Sequence, residues 1–284
     1  MVKLFQKMSH ERARCLLCPL YCELEDGEVG ACHALINKQG SIYPKSYGVI
    51  SALAVEPIEK KPFKHFLPGT KTLSIGGWGC NLRCRHCENH SISQVGHSQG
   101  TSFKKSSVEE VIKVAKEKNC PSVCMTYNEP TILYDFLMDL GRACHKNDLK
   151  FIIKTNAYIN RKPWQEVCKV VDAMSIDFKG AGSYFEDITE CRWTPDMREK
   201  MCDVTDNHVH LELSIPIFSG YKSGGSYFMS LEQSVPLMPD QKDTPCHLLK
   251  VNPAHLMIDY PTTSDEDIEN AREDLSYIFK DIYV

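Results

Sequence analysis

The sequence lacks the features that mark exported, membrane-spanning and nucleic-acid-binding proteins. None of its apolar runs approaches the roughly 18–20 residues that a membrane-spanning helix needs, and charge interrupts the N-terminus before a signal-peptide core could form. The 33 basic and 37 acidic residues nearly balance, so the formal charge of −4 creates no global field for nucleic acid or anionic lipid. These absences favour a cytoplasmic protein with no membrane or nucleic-acid partner.

Cysteine, by contrast, is plentiful, with 14 in 284 residues. In a reducing compartment, clustered cysteines are more often metal ligands or catalytic groups than disulfide partners. Seven of them fall into two tight groups: Cys15, Cys18, Cys22 and Cys32 in the first, and Cys80, Cys84 and Cys87 in the second. The spacing within these two groups is therefore the main functional signal.

Between the two groups, residues 55–71 are rich in Pro and Lys and indicate an extended connector. We therefore expect a Cys-rich N-terminal segment at 1–69 and a core domain at 70–284. Within the core, short apolar runs predict strands at 72–78, 122–127, 151–156, 173–178, 209–218 and 247–252. Apolar periodicity and caps predict helices at 106–119, 130–147, 162–171 and 263–279.

Strands and helices that alternate about six times indicate parallel βαβ units. Six units fit an open or partial α/β barrel better than a closed barrel of eight strands. In such folds the chemistry lies at the carboxyl ends of the strands, where the loops gather. The second cysteine group directly follows the first predicted strand of the core.

Three neighbouring thiolates can bind zinc with one open position, or a [4Fe–4S] cluster in which one iron lacks a protein ligand. The gaps of three and two residues differ from the paired two-residue hooks that are usual for zinc. Such a short loop can wrap three corners of a cuboidal cluster, and Gly77 and Gly79 would let the backbone come close to it.

The first group offers four thiolates within 18 residues, with Pro19 and Gly30 as turn formers between them. Four thiolates suit a structural zinc ion or an auxiliary Fe–S cluster, and His33 is a further candidate ligand. Four reduced thiols without a ligand are also compatible with this spacing. The sequence therefore leaves the metal content of this second candidate site open.

The second cysteine group, with the ring of His86 before its last cysteine, resembles the loop of the radical S-adenosylmethionine (SAM) superfamily. The stretches EPIEKKPFKHFLPGT, LSIGGWGCNLRCRHCENHSIS, TYNEPT and IDFKG extend this resemblance from about residue 12 to about residue 275. They are most similar to the enzymes related to pyruvate formate-lyase activating enzyme, in particular the AmmeMemoRadiSam-system branch. The expected fold is then a partial (β/α)6 radical SAM barrel.

The resemblance also implies which residues contact the cofactors. Cys80, Cys84 and Cys87 would hold the [4Fe–4S] cluster. The residues expected to bind SAM are Asn128, Glu129, Thr155, Asn156, Asp177, Lys179 and His247. Lys154 stands where the activating-enzyme branch has an Asp that helps bind a monovalent cation, and its ammonium group could replace that charge.

The activity that the resemblance implies is reductive cleavage of SAM to a 5′-deoxyadenosyl radical, which abstracts hydrogen from a substrate. A glycyl-radical enzyme, another protein or a small molecule could be that substrate, and ferredoxin or flavodoxin would be a suitable electron donor. The alternative is a non-enzymatic protein in which both cysteine groups bind zinc or Fe–S clusters for structure alone.

Overall fold

The computed structural model describes residues 4–94, 104–220 and 243–284. Its strands are β1 (Phe5–Lys7), β2 (Ala13–Cys15), β3 (Glu23–Leu24), β4 (Leu35–Lys38), β5 (Ser41–Pro44), β6 (Val49–Ile50), β7 (Ala52–Pro57), β8 (Lys71–Gly76), β9 (Lys104–Lys105), β10 (Ser122–Met125), β11 (Lys150–Thr155), β12 (Ala173–Asp177), β13 (His210–Ile217), β14 (Cys246–Lys250) and β15 (Ile282–Tyr283). Its α-helices are α1 (His90–Ser93), α2 (Val108–Glu117), α3 (Tyr134–Lys146), α4 (Arg161–Cys168), α5 (Gly182–Thr189), α6 (Met197–Asp206) and α7 (Asp265–Leu275).

One central sheet has the strand order β15-β14-β13-β12-β11-β10-β8-β7. Neighbouring strands from β8 to β15 are parallel, whereas β7 pairs antiparallel with β8 at the edge. The six strands predicted from the sequence are β8 and β10 to β14. They are buried along most of their length, as strands of a parallel sheet covered by helices are. The predicted α/β partial barrel is thus confirmed, with β7 and β15 as additions.

The four predicted helices correspond to α2, α3, α4 and α7. Helix α2 begins with a capping box, in which the Ser107 side chain and the Glu110 side chain each accept a backbone N–H. The sequence interpretation missed the short helix α1 and the helices α5 and α6. Helix α6 buries the polar side chains Lys200 and Asp203 beside its apolar ones, so its apolar periodicity is weak. No helix in the described ranges is long and apolar enough to span a membrane.

The N-terminal segment forms small antiparallel units. Strands β1, β2 and β3 make one sheet, β4 pairs with β5, and β6 pairs with β9. Strand β7 continues this segment into the central sheet, where Ala52 is opposite Gly76 and Pro57 is opposite Lys71. A domain division near residue 70 stays a prediction, and the pairing of β7 with β8 would join the two parts.

The connector that follows β7 closes the amino-terminal end of the barrel. Ile58 and Phe63 pack against Cys124 of β10, Ile152 of β11 and Ala173 of β12. The inner cavity of the barrel therefore lies toward the carboxyl ends of the strands.

Candidate functional site

A cavity of about 400 Å³ lies at the carboxyl ends of the parallel strands. All the predicted cluster and SAM residues except His247 line it. These residues are Cys80, Cys84, Cys87, Asn128, Glu129, Thr155, Asn156, Asp177 and Lys179. The fold therefore assembles on one cavity side chains that lie up to 99 positions apart, from Cys80 to Lys179.

The cysteine loop follows β8 and places its three thiols on one side of the cavity. Cys84 is buried, while Cys80 and Cys87 are partly exposed. The backbone N–H of Leu82 points to the Cys80 Sγ at 3.4 Å, and the Cys87 Sγ is 3.0 Å from the Ser93 Oγ. Burial raises the pKa of Cys84 to about 12 and that of Cys80 well above its ordinary value. A positively charged partner is therefore needed to hold these sulfurs as thiolates.

The donor set fits an Fe–S cluster by its chemistry, since thiolates are the usual protein ligands of such clusters and here three of them face one cavity. Within the described ranges, no group of three or more His, Cys, Asp or Glu side chains is arranged to hold a single metal ion. The cysteines that bind a cuboidal cluster do not have to surround one common point, because each cysteine binds a different iron atom.

Asn128 fixes the backbone of the cysteine loop. Its Oδ1 accepts the Gly77 N–H at 2.8 Å, and its Nδ2 donates to the Gly79 carbonyl at 2.8 Å. The sequence interpretation explained both glycines by a close approach to the cluster. The structure gives another reason, since a Cβ on Gly77 would lie 2.1 Å from Leu133 and one on Gly79 only 1.9 Å from the Cys32 carbonyl oxygen.

Glu129 is a buried hydrogen-bond acceptor between β10 and β11. Its Oε1 accepts from the Thr131 N–H at 3.0 Å and from the hydroxyls of Thr131 and Thr155, each at 2.7 Å. Its Oε2 accepts the Asn156 N–H at 2.8 Å. Burial raises the pKa of Glu129 above its ordinary value, although these four hydrogen bonds oppose the shift. Glu129 thus ties Thr155 and Asn156 to the strand end before it.

Asn81 connects β11 to the cysteine loop, and the sequence interpretation missed it. Its Nδ2 donates to the Tyr158 carbonyl at 2.6 Å, and its Oδ1 accepts from the Asn156 Nδ2 at 3.1 Å. The same Asn156 amide lies 3.8 Å from the Cys80 Sγ. The available signal was the position of Asn81 beside Cys80, but an asparagine in a loop has many ordinary explanations.

Lys154, Asp177 and Lys179 form a buried ion triad on the cavity wall. The Lys154 Nζ contacts the Asp177 Oδ1, and the Lys179 Nζ lies 3.4 Å from the Asp177 Oδ2. Burial alone would raise the pKa of Asp177, but the two ammonium groups lower it to about 2. Asp177 in turn raises the pKa of Lys179 against the opposing effect of burial, whereas for Lys154 burial outweighs the effect of Asp177 and lowers the pKa.

His247 lies apart from this cavity. Its Nε2 is 2.6 Å from the Glu212 Oε2, and its ring stacks on Tyr283 with centroids 5.4 Å apart. Glu212 also accepts the backbone N–H groups of Lys64 and His65 from the connector. His247 lies near the start of β14, whereas the residues of this strand that line the cavity, Leu249 and Lys250, lie at its other end. Contact between His247 and SAM stays a prediction, and the cavity lining does not support it.

The connector contributes a second missed cluster. The Lys61 Nζ lies 2.5 Å from the Glu56 Oε2 and 4.3 Å from the centroid of the Tyr127 ring, and the Tyr127 hydroxyl donates to the same Glu56 oxygen at 2.7 Å. Lys60 and Lys61 both line the cavity. This stretch, which the sequence analysis interprets as a connector and as part of the family resemblance, thus also supplies part of the cavity wall.

The first cysteine group surrounds a separate, much smaller cavity of about 10 Å³. Cys15, Cys18, Cys22 and Cys32 all line it, and the other lining residues are Leu17, Leu20, Leu24, Gly30, Leu35 and Ile132. His33, predicted as a further candidate ligand, is not among them. The two cysteine groups thus occupy different cavities of different size and polarity.

A partial α/β barrel with three cysteines and buried charges at the carboxyl ends of its strands belongs to the class of cofactor-binding barrel enzymes. The comparisons with known proteins are more specific. The model of the Radical SAM superfamily matches residues 75–220. The uncharacterized protein MJ0808 of Methanocaldococcus jannaschii is 31% identical over 283 residues, which cover 97% of this chain and 83% of that protein. The chain therefore belongs to the radical SAM superfamily, as predicted, and the family implies a [4Fe–4S] cluster and SAM.

One solved structure shares the fold at low identity, and a second is similar over a smaller part of the chain. SuiB of Streptococcus suis is similar with a TM-score of 0.50 and 14% identity, covering 74% of this chain and 46% of SuiB. A domain of pyruvate-formate lyase-activating enzyme from Bacteroides vulgatus has a TM-score of 0.40 and 18% identity, with 55% of this chain and 93% of that domain covered. The chain thus spans about half of the length of SuiB.

Proposed function

We propose that Cys80, Cys84 and Cys87 bind a [4Fe–4S] cluster, that the 400 Å³ cavity binds SAM beside it, and that the protein abstracts hydrogen from a substrate bound at the same cavity. When bound and reduced, the cluster supplies the electron that splits SAM into methionine and a 5′-deoxyadenosyl radical. The observation that carries this proposal is the convergence of the three thiols, the ion triad and Glu129 on one cavity.

The ion triad is suited to the carboxylate of SAM. Lys179 is held by Asp177 at 3.4 Å and keeps further N–H donors for an anionic ligand, since an ammonium group has three. Lys154 balances the single negative charge of Asp177. The positive charge of Lys179 is then available to attract an anion. In this proposal Lys154 also makes a separate monovalent cation unnecessary.

Glu129 and Asn156 are suited to the ammonium group of SAM. Three of the four hydrogen bonds to Glu129 end on its Oε1, whereas its Oε2 accepts only the Asn156 N–H. The Oε2 therefore accepts fewer hydrogen bonds than the Oε1, and it could accept one N–H of an ammonium group, whose positive charge would favour the ionised form of Glu129. Thr155 and Asn128 act indirectly in this proposal, by orienting Glu129 and the cysteine loop.

The substrate side of the cavity is formed in part by Lys60, Lys61 and Tyr127. The family resemblance implies two classes of substrate, and the proposal includes both. One is a glycine in the backbone of a glycyl-radical enzyme, and the other is a different protein or a small molecule. The electron donor would be a ferredoxin or a flavodoxin. Deuterium transfer from a candidate substrate into 5′-deoxyadenosine distinguishes these classes directly.

The test is anaerobic reconstitution of the full chain with iron and sulfide, followed by dithionite and SAM. We expect a brown protein that bleaches on reduction and forms 5′-deoxyadenosine and methionine. Cys84→Ala should lose iron and cleavage, whereas Cys144→Ala, which changes a fully buried cysteine of α3 away from the cavity, should retain both. A colourless protein that binds zinc, contains no iron and does not cleave SAM would instead support the alternative of a structural, non-enzymatic protein.

A further inference from the structure

The four cysteines of the first group are brought together by backbone structure. Cys15 ends β2, and its N–H donates to the Cys22 carbonyl at 2.8 Å. Cys18 lies in the turn between them, where its carbonyl accepts the Tyr21 N–H at 3.2 Å. Cys32 joins from the loop before β4. All four are free thiols on one cavity.

Backbone amides two residues further along the chain act on three of these sulfurs. The backbone N–H groups of Leu17, Leu20 and Ala34 lower the pKa of Cys15, Cys18 and Cys32, against the larger opposing effect of burial. Cys80 of the cluster loop has the same arrangement with Leu82. An amide donor stabilises a thiolate more than a neutral thiol, because hydrogen bonds to charged acceptors are stronger. Burial nevertheless raises the pKa of Cys15 to about 12 and that of Cys32 to about 11, and the amides only oppose this shift, so a bound cation would be what holds these sulfurs as thiolates.

The described residues that line this cavity carry no charge to balance such thiolates, and Lys200, which interacts electrostatically with Cys18, lies outside the lining. Apart from the four cysteines and Gly30, the lining residues are leucines and Ile132. Several anionic sulfurs in an apolar cavity are stable only with a bound cation, and metal binding releases the thiol protons. As thiolates, these four cysteines would therefore need a soft divalent ion or a cluster.

The size of the cavity favours a single metal ion over an Fe–S cluster. A single water molecule needs roughly 10–15 Å³ of such volume, and the cavity offers about 10 Å³. One ion fits this space, whereas a cube of four irons and four sulfides is several times larger. We propose that Cys15, Cys18, Cys22 and Cys32 bind one Zn²⁺ ion as a structural tetrathiolate site.

Binding has to bring the sulfurs to about 2.3 Å from the ion, the usual Zn–S distance. In the described ranges the side chains are not arranged around a common metal position, so rotation of the thiols about χ1 is part of binding. The backbone fixes which sulfurs meet, and the ion sets their final directions.

The zinc site would also support the cluster loop. The Cys32 carbonyl oxygen lies against Gly79, the residue before Cys80. The segment between Cys15 and Cys18 is held by Asn160. The Asn160 backbone N–H donates to the Leu17 carbonyl at 2.9 Å, and its Nδ2 donates to the Leu16 carbonyl at 2.8 Å. An ion that fixes Cys32 would therefore fix the surface on which the cluster loop rests.

The test measures zinc and iron in the full-length chain after purification and reconstitution. We expect about one zinc and about four irons per chain. Cys22→Ala should lose most of the zinc and keep at least half of the iron, and Cys84→Ala should do the reverse. Cys144→Ala serves as the control that keeps both metals.

A second measurement applies even where a variant fails to fold. Co²⁺ added to the zinc-free wild-type chain should give the intense thiolate-to-cobalt absorption of a tetrathiolate site, and Zn²⁺ should abolish it. About eight irons per chain with no zinc, or no thiolate-to-cobalt absorption in the wild-type chain, would overturn the proposal.

Discussion

The two cysteine groups differ in what surrounds them, and the two proposals, a reactive site and a structural one, rest on this difference. Cys80, Cys84 and Cys87 face a cavity of about 400 Å³ whose walls carry lysines and carboxylates. The four cysteines of the first group face a cavity of about 10 Å³ with aliphatic walls. Three thiols beside a large polar space leave a position for an exchangeable ligand, whereas four thiols around one ion in a small apolar space would leave none.

The two groups touch at one point, and Gly79→Ala should disrupt both. Gly79 has φ +86°, and a Cβ there would lie 1.9 Å from the Cys32 carbonyl oxygen. The left-handed backbone costs an alanine about 1–2 kcal/mol, and the clash adds about 1–3 kcal/mol or more. We expect the free energy of unfolding to fall by about 2–5 kcal/mol, together with loss of both iron and zinc.

Gly69→Ala is the matched control for this substitution. Gly69 has φ +76°, but no atom lies within 4 Å of a Cβ placed there. Only the backbone cost of about 1–2 kcal/mol then applies, and both metals should remain. Equal metal contents and equal denaturation midpoints in the two variants would show that the contact between Gly79 and Cys32 is unimportant.

The next substitution, Asp177→Asn, should affect only the polar cavity. It leaves Lys154 and Lys179 close together with no carboxylate, and removing one partner of a buried ion pair costs about 3–5 kcal/mol. We expect a loss of stability of up to this size and of SAM binding, measured by urea unfolding and isothermal titration calorimetry. Zinc content should not change.

Glu117→Gln provides the control, because Glu117 forms an exposed pair with Lys113 at 3.8 Å and should change stability by no more than about 1 kcal/mol. Adding Lys154→Met to Asp177→Asn removes one of the unpaired charges and should recover part of the stability without restoring SAM binding. Full SAM affinity in Asp177→Asn would contradict the role given to the ion triad.

The sequence predicted the parts of this comparison that follow from local pattern. Six strands, the cysteine loop after β8 and the residues at the strand ends could be predicted because buried parallel strands are apolar runs and the ends of parallel strands meet. Asn81, Lys61 and the contact between Gly79 and Cys32 could not be, since each depends on the packing of segments distant in the chain. His247 shows the same limit, because its partner Glu212 is 35 positions away and no periodicity marks the pair.

The smallest expected effects come from two asparagines that hold the two groups separately. Asn128 bonds to the backbone at Gly77 and Gly79 and so orients the cluster loop, whereas Asn160 bonds to Leu16 and Leu17 next to the first group. Replacing a residue that orients a metal ligand typically lowers metal affinity about 10–100-fold. We therefore expect Asn128→Ala to lower retention of iron and Asn160→Ala to lower retention of zinc, each measured by competition with a chelator.

Asn147→Ala is the control for both substitutions. The Asn147 Nδ2 donates to the Ala143 carbonyl at 2.8 Å, so this variant loses one side-chain hydrogen bond at the end of α3, away from both cavities. It should lower stability by about 1 kcal/mol and leave both metals in place. If Asn128→Ala and Asn160→Ala lowered iron and zinc retention equally, the two groups would act as one unit, because each asparagine contacts only one of them.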